Sequence, residues 1–539
     1  MSTSSPNNAE QSQAAEKPQR KSRERSYKRA GLLGHLVLIA AIAAVFGSML
    51  QSPILWSDYD IVERSSYQNM ERWQEAWTLN AIRSENPLSV TSYFLESSLP
   101  IDPAIAHRLI NLALHLVAAL LLLRVLEALK LPGAFTATLI FALHPALTQT
   151  LFMWGYRHEL IGLISILLAL HCGIKRRNGF EYVLALVLTM VAGILHPAAA
   201  AIPVILALIV YLKKHTIHAS DFNSVMPLLC VSILTAAWAH SAPSTETAPP
   251  VLNSTLDWST HAGQNLFFYL GRTLNSGTPA LFYPYNFSSL QSHSLEANLL
   301  PFCVLLPFYA LALFQFRKRW SRGLLLGLTA FLALLTPALF SVGYNFDGLQ
   351  AHEDHHYYVA LPALIALIAV GSRSIVLKLE FTAKALWYIA VSLIVLIEVL
   401  ISGSWSYALG KPAEMWRLQA EQWPDSWRPK VALLEYTMND DLEGSEIQPA
   451  IQSLETIIGL RPDLYSQRLL LARLYVKAGQ KNNALREYRI LIRDAHSESE
   501  HIEEAAKLMD TLGMSREARS TRKRLESEPE NTSTTENSN

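Results

Sequence analysis

The chain has 539 residues, of which 50% are hydrophobic and 17% are charged. Because soluble proteins average about 25% charged residues, this composition argues against an ordinary soluble domain. The 45 basic residues are balanced by 45 acidic ones, so net charge indicates no nucleic-acid partner. All three cysteines lie in apolar runs and are interpreted as buried small side chains, not as a disulfide framework or a metal site.

Hydropathy divides the chain into a membrane domain and a charged C-terminal region, and both are predicted to be all-α. Residues 1–30 are polar, end in a basic cluster and are predicted to be a disordered cytoplasmic tail. Residues 31–403 are mostly apolar and predict a polytopic helix bundle of about eleven spans, with a large first outer loop over 51–103. Residues 404–527 predict a helical repeat domain, and 528–539 predict a disordered tail.

The first outer loop carries two acids just outside the bilayer. Asp58 and Asp60 are two residues apart, beside Trp56 and Tyr59. A carboxylate in this position is a candidate general base for sugar transfer, because the acceptor hydroxyl must lose a proton. The alternative is a hydrated loop whose acids keep it out of the bilayer.

Ionisable groups in the second and third spans are candidates for function, because such groups are costly at membrane depth. His107, Asn111 and His115 lie on one helix face, where they would hold a phosphate or orient an acceptor. The alternative is a set of hydrogen bonds between helices. Arg157 and Glu159 mark the outer end of the third span; the arginine fork matches phosphate oxygens, and an internal Arg–Glu pair is the alternative.

A later outer loop is dense in groups that can bind metal ions. Its candidate residues for a divalent cation or for the acceptor are His352, Glu353, Asp354, His355 and His356. Their spacing matches no recognised metal site, so contact with the donor phosphate or the acceptor is the alternative. His196, which precedes Pro197, is interpreted as a histidine at a helix break, with a place in the same cavity as Arg157 as the alternative.

The distribution of basic residues predicts the orientation. Clusters such as those beginning at Lys175 and Lys213 follow alternate spans, and the positive-inside rule places them in the cytoplasm. An odd number of spans then puts the C-terminal region on the outer face together with Asp58 and Asp60. The short loops and the absence of an endoplasmic-reticulum retention signal favour a bacterial inner membrane over the endoplasmic reticulum. The outer face is accordingly periplasmic, or lumenal in the alternative.

The C-terminal region contains an internal repeat. Ala450, Ala484 and Ala518 are separated by 34 residues, as are Gly479 and Gly513. This is the period of tetratricopeptide repeats, which are pairs of antiparallel helices. Stacks of such repeats form concave surfaces that bind peptides or other proteins. The alternative is a coincidental amphipathic helical hairpin.

The order of these motifs resembles the transmembrane and tetratricopeptide repeat (TMTC-like) proteins, which belong to the GT-C fold of glycosyltransferases. Single motifs are weak, but their order and spacing together are fairly specific. The matching segments are Trp56-Ser57-Asp58-Tyr59-Asp60-Ile61, Asn86-Pro87-Leu88-Ser89, the His107–His115 face, Ala142-Leu143-His144-Pro145, Trp154-Gly155-Tyr156-Arg157-His158-Glu159-Leu160, Tyr269-Leu270, Pro279-x-Leu281, Tyr358-x2-Leu361-Pro362 and the repeats.

The resemblance implies a glycosyltransferase that uses a polyprenyl- or dolichyl-phosphate-linked sugar and transfers it to a hydroxyl of a protein or glycan on the outer face. An acid of the first loop would be the base, with Arg157 assisting the phosphate leaving group. Relatives have adjacent acids here, whereas Tyr59 separates Asp58 from Asp60, so the resemblance does not choose between them. The rival interpretation is a non-catalytic membrane scaffold that uses its repeats to assemble an envelope or glycan-processing complex.

Overall fold

A computed structural model describes most of the chain, which forms two compact units, Met1–Gly410 and Lys411–Asn539. The described residues are 32–52, 70–79, 81, 86–175, 178–214, 219–239, 255–274, 283, 295–340, 343–345, 348–350, 354–423, 429–430, 432–434, 444–460, 465–493, 499–511 and 513–527. Over these residues the fold is all-helical apart from one short hairpin, which agrees with the predicted all-α class.

The first unit is a helical bundle. Its helices are α1 Leu32–Gln51, α2 Met70–Glu75, α3 Pro87–Ser97, α4 Pro103–Ala128, α5 Ala134–Leu143, α6 Thr148–Phe152, α7 Arg157–Lys175, α8 Gly179–Leu195, α9 Ile202–Lys214, α10 Ala219–Ala239, α11 Thr255–Leu274, α12 Leu295–Phe314, α13 Arg319–Phe340, α14 Leu361–Val376 and α15 Phe381–Leu409. Strands β1 (Gly343–Asn345) and β2 (Gly348–Gln350) pair antiparallel between α13 and α14.

Five of these helices, as far as the described residues extend, are long and apolar enough to cross a membrane: α1, α4, α7 with its preceding turn, α13 and α15. The α5–α6 pair, bent by 53°, makes a sixth if it is one span, and five further apolar helices are shorter. These helices indicate a multi-pass membrane protein, whereas the total of about eleven spans stays a prediction. Only 11% of the most apolar window of α15 is buried, so this helix offers its length to lipid.

Helices α3 and α4 begin at capped positions that follow directly from the sequence. The Asn86 side chain accepts a hydrogen bond from the Ser89 amide at 3.1 Å. The Asp102 carboxylate accepts from the Ala104 and Ile105 amides at 2.8 and 3.1 Å. Each cap is followed by a proline, which lacks the amide proton that a first turn cannot satisfy. Both helix starts therefore lie where their polar side chains can serve the site described below.

Two His-Pro pairs break apolar segments. Proline cannot continue the preceding helix, and in each case the histidine caps the turn that follows. His144 Nδ1 accepts from the Ala146 amide at 3.2 Å, and His196 Nδ1 accepts from the Ala198 amide at 3.1 Å. The breaks thereby hold both imidazole rings at the ends of membrane helices.

One set of helix ends in the first unit carries basic residues. Lys130 follows α4, Lys175 ends α7 and Lys378 follows α14. Arg322, in the first turn of α13, donates to the carbonyl of Leu212 near the end of α9 at 3.2 Å. By the positive-inside rule this end of the bundle is cytoplasmic.

The opposite helix ends are joined by polar contacts from the first loop. Arg108, near the start of α4, donates to the carbonyl of Ser52 directly after α1. The Asn86 amide donates to the carbonyl of Leu195, the last residue of α8, at 3.0 Å. The non-cytoplasmic ends of α1, α4 and α8 therefore lie together with the start of α3.

The second unit repeats one helical hairpin. Its helices are α16 Pro412–Gln422, α17 Gly444–Leu460, α18 Tyr465–Lys477, α19 Lys481–Arg493, α20 Ser499–Thr511 and α21 Ser515–Ser527. The pair α20–α21 has the same helix lengths and the same turn positions as α18–α19, displaced by 34 residues. Gly479 and Gly513 each lie between the two helices of a pair with positive φ, +73° and +84°, a conformation that only glycine adopts without strain. The 34-residue period thus appears in the helices, and the tetratricopeptide assignment stays a prediction.

Candidate functional site

Two clusters of buried ionisable groups meet at the first turn of α7. Arg157 and Glu159 lie two residues apart, so their side chains point about 200° apart around the helix. The arginine network consists of Ser92, Glu96, His107, Asn111 and Arg157. The histidine cluster consists of His158, Glu159, His196, His355 and His356.

The arginine network uses every N–H of one guanidinium. Arg157 Nε donates to Asn111 Oδ1 at 2.9 Å, and Nη1 donates to Ser92 Oγ and Glu96 Oε2 at 2.8 and 2.7 Å. Nη2 lies 2.5 Å from His107 Nδ1 and donates to the His107 carbonyl at 3.2 Å. An arginine has five N–H donors, and all five are engaged here. A phosphate at Arg157 would therefore have to displace one of these partners.

Aromatic rings enclose the arginine network. His107 stacks on Trp154 with 4.2 Å between ring centroids, and the Arg157 guanidinium lies 4.6 Å from the centre of the Tyr93 ring. Burial raises the pKa of Glu96 to about 7, although the Arg157 charge and hydrogen bond oppose this shift. The Arg–Glu pair considered from the sequence exists, but the partner of Arg157 is Glu96 from the first loop, which sequence reasoning missed.

The polar face of α4 divides between different partners. Asn111 belongs to the arginine network and also donates to the carbonyl of Leu151 at 3.1 Å. His115 donates from Nε2 to the carbonyl of Ala142 at 3.0 Å, and its Nδ1 lies 2.8 Å from the Tyr358 hydroxyl. Both ring nitrogens of His115 are thus engaged between helices. The structure does not bring His115 into either cluster.

Glu159 is the centre of the histidine cluster and is 2% exposed. Its Oε2 lies 2.9 Å from His196 Nε2, and its Oε1 lies 3.5 Å from His356 Nδ1 and 3.6 Å from His158 Nε2. The side chains of His158 and His356 are 36% and 25% exposed, so the cluster is open to solvent on one side.

The tautomer of His196 follows from its backbone contact. Because Nδ1 accepts from the Ala198 amide, the ring proton is on Nε2, which donates to Glu159 Oε2. Gly162, almost one turn after Glu159, gives the ring its space: a Cβ there would lie 2.7 Å from His196 Cδ2. This histidine therefore orients the Glu159 carboxylate.

His355 is held by contacts on both sides of its backbone and ring. Its amide donates to Gln149 Oε1 at 3.0 Å, and its ring stacks on Tyr156 with centroids 3.7 Å apart. The His356 ring centroid lies 3.9 Å from that of His355. Burial, together with the nearby charge of His356, holds the pKa of His355 well below its ordinary value, which leaves the imidazole neutral.

Asp354 faces a different partner from its two neighbours. Arg272 donates to both of its carboxylate oxygens, from Nε at 3.0 Å and from Nη2 at 2.8 Å, and Tyr283 donates to Oδ2 at 2.6 Å. This bidentate pair fixes the turn that carries His355 and His356. Arg272 was missed by sequence reasoning, although an arginine in an aromatic, mostly apolar stretch is a signal of a buried ion pair.

Four predicted site residues lie outside the described residues: Asp58, Asp60, His352 and Glu353. Their flanking segments are described on both sides. Ser52 accepts from Arg108, and Trp73 in α2 donates from its indole nitrogen to Thr91 Oγ1 in α3 at 3.1 Å.

Three residues of the site can serve as metal ligands. Glu159, His355 and His356 each offer one ligand atom, and these atoms lie within 4.8 Å of one another. No protein-family model matches the chain, and no curated protein is similar to it. The family resemblance therefore rests on the motifs of the sequence alone.

Proposed function

We propose that this chain is an integral-membrane glycosyltransferase of inverting GT-C type. It would move a sugar from a polyprenyl-phosphate-type lipid donor to a hydroxyl of a protein or glycan on the periplasmic or lumenal face. The observation that carries the proposal is the convergence of buried ionisable groups at the helix ends opposite the basic ones. Glu159 and its histidines come from three separate segments and meet at that end.

Physical chemistry supports a functional interpretation of this convergence. Ionisable groups in a membrane bundle are costly, and they concentrate where substrates or ions are handled. The chemistry needs a carboxylate, contacts for the leaving phosphate, lipid access for the donor and water access for the acceptor. The partly exposed His158 and His356 supply water access, and apolar helices such as α15 offer a surface to lipid.

In the proposed reaction, Asp58 or Asp60 accepts the proton of the acceptor hydroxyl as its oxygen bonds to the anomeric carbon. The bond from that carbon to the phosphate oxygen breaks, and the lipid phosphate leaves. Arg157 was the predicted phosphate contact, but its five donors are engaged. We assign leaving-phosphate contacts to His158 and His356, and a positioning role to Arg157.

The test is sugar transfer in liposomes from a polyprenyl-phosphate sugar, with Asp58→Asn, Asp60→Asn and the double variant. Loss of the general base should lower the rate by about 10²-fold or more in one single variant and in the double variant. Glu75→Gln, which changes an exposed acid of α2, is the matched control and should keep activity. Full activity in the double variant would refute the assigned base.

The second candidate is a non-catalytic scaffold, which the repeated hairpins of the second unit favour. It predicts that Asp58 and Asp60 are dispensable and that deletion of residues 444–527 abolishes function. The glycosyltransferase proposal predicts that a short soluble acceptor is still glycosylated after this deletion. Accessibility labelling adds a further check, because the proposal requires the first loop and the repeats to face the same compartment.

A further inference from the structure

We propose that Glu159, His355 and His356 form a binding site for a divalent transition-metal ion of the Zn²⁺ class. One carboxylate and two imidazoles would be the protein ligands, and a fourth position would stay open for water or a phosphate oxygen. The inference goes beyond the proposed transferase, because it concerns ion binding and can be tested without any sugar donor.

The ligand set defines the class of ion. Two imidazole nitrogens with one carboxylate suit Zn²⁺ and its first-row neighbours, whereas Mg²⁺ and Ca²⁺ prefer oxygen ligands. Three protein ligands with an open position is also the pattern of catalytic zinc sites, since structural sites are closed by four. The composition therefore selects a transition metal and leaves one position for a reactant.

The distances are close to those of such a site. With bonds of ~2.0 Å, ligand atoms at two corners of a tetrahedron lie about 3.3 Å apart. Glu159 Oε1 and His356 Nδ1 are 3.5 Å apart, and all three ligand atoms lie within 4.8 Å of one another. A pair at that upper limit must close by about 1.5 Å, which rotation of the partly exposed His356 ring can supply.

A second layer of contacts already orients the carboxylate. The Nε2 proton of His196 bonds to Glu159 Oε2, which leaves Oε1 directed towards His356. His196 itself is fixed by the Ala198 amide. Partners of this kind are part of metal sites, and their loss commonly weakens binding by about 10–100-fold.

The two histidines are carried by a turn that is held at both ends. The His355 amide is bonded to Gln149, and its ring is stacked on Tyr156. The preceding residue, Asp354, is clamped by Arg272. The backbone that presents the ligands is thus preorganised, while the exposed edge of His356 gives an ion access from water.

The experiment uses the full chain in detergent, purified with an affinity tag that contains no histidine and stripped with a chelator. Zn²⁺ is returned by equilibrium dialysis and counted by mass spectrometry, and Co²⁺ is added separately for its visible absorption. We expect one tight equivalent per chain, and a Co²⁺ spectrum of a four- or five-coordinate site. Mg²⁺ at the same concentration should not compete.

Variants locate the ion. Glu159→Gln and His356→Gln should lose the tight equivalent, and His196→Gln should lower the affinity by about 10–100-fold. His35→Gln, at a histidine on α1 away from the cluster, is the matched control and should bind like the parent. A parent chain that retains no ion, or Glu159→Gln and His356→Gln chains that bind as the parent does, would overturn the proposal.

A measurement on the unaltered chain guards against variants that fail to fold. Diethyl pyrocarbonate modifies accessible imidazoles, and mass spectrometry reports the modified positions. Zn²⁺ should protect His356 and leave the modification of His35 unchanged, whereas Mg²⁺ should protect neither. Equal modification of His356 with and without Zn²⁺ would contradict the site. Because no sugar transfer is measured, failure here leaves the proposed enzymatic activity to its own test.

Discussion

The arginine network and the histidine cluster begin two residues apart on one helical turn, yet they hold charge in different ways. Arg157 is 0% exposed, and each of its N–H donors has a partner. Glu159 is as deeply buried, but its histidine neighbours reach solvent and converge without filling the space between them. A saturated network stabilises a structure, whereas a convergent and accessible one can accept a ligand.

The difference explains why a buried arginine alone is a poor guide to a phosphate site. A guanidinium that has lost its water must replace all of its hydrogen bonds, and residues of α3 and α4 do so for Arg157. Such a pair adds little net stability compared with apolar packing, but the loss of one partner is costly.

The largest expected effect is therefore on stability at Arg157. Arg157→Met leaves Glu96 buried without its counter-charge, and we expect the free energy of unfolding to fall by about 3–5 kcal/mol. Denaturant unfolding in detergent measures it. The control is Arg124→Met, since the Arg124–Glu127 pair is about half exposed and contributes about 0–1 kcal/mol. Equal stability of the two variants would show that the network is not structural.

A second prediction uses the pKa of Glu96, raised from its usual 4.5 to about 7 by burial. Between these two pH values the folded chain binds more protons at Glu96 than the unfolded chain. Its contribution to stability is therefore complete below about pH 4.5 and is lost as pH rises to about 7, by up to about 3 kcal/mol.

Unfolding midpoints at the two ends of this pH range, for the parent and Glu96→Gln, isolate that contribution. Glutamine keeps an acceptor for Arg157 but does not titrate. We expect the parent to lose more stability than the variant as pH rises. A parent that gains stability relative to Glu96→Gln would mean that pairing with Arg157 outweighs burial.

The smallest expected effect on stability is at Gly162, and it concerns the histidine cluster alone. Gly162→Ala places a Cβ 2.7 Å from His196 Cδ2, so the ring must move away from Glu159. Overpacking should cost about 1–3 kcal/mol, partly offset by about 1 kcal/mol of helix propensity. Zn²⁺ affinity should fall by about 10-fold or more.

Gly371→Ala in α14 is the matched control for this substitution, because no heavy atom lies within 4 Å of its added Cβ. It should leave Zn²⁺ affinity unchanged and should not destabilise the chain. If Gly162→Ala binds Zn²⁺ as tightly as Gly371→Ala, His196 does not orient the carboxylate.

Much of the secondary structure was predictable because its signals are local. Apolar runs of membrane length predicted α1, α4, α7, α13 and α15, since a bilayer requires about 20 such residues. Asp102 before Pro103 marks the start of α4 by capping chemistry. The 34-residue spacing of Gly479 and Gly513 recurs in the helices because each glycine takes a left-handed conformation between paired helices.

The composition of the two clusters was decided by tertiary packing. Glu96 and Arg157 are 61 residues apart, and Glu159 and His196 are 37 residues apart, so hydropathy and spacing within one segment cannot pair them. The even spacing of His107, Asn111 and His115 predicted one shared face, but neighbouring segments contact that face at different heights. His115 consequently bonds to Ala142 and Tyr358 while His107 and Asn111 bond to Arg157. Sequence period sets the direction of a side chain, and only the packing of distant helices decides its partner.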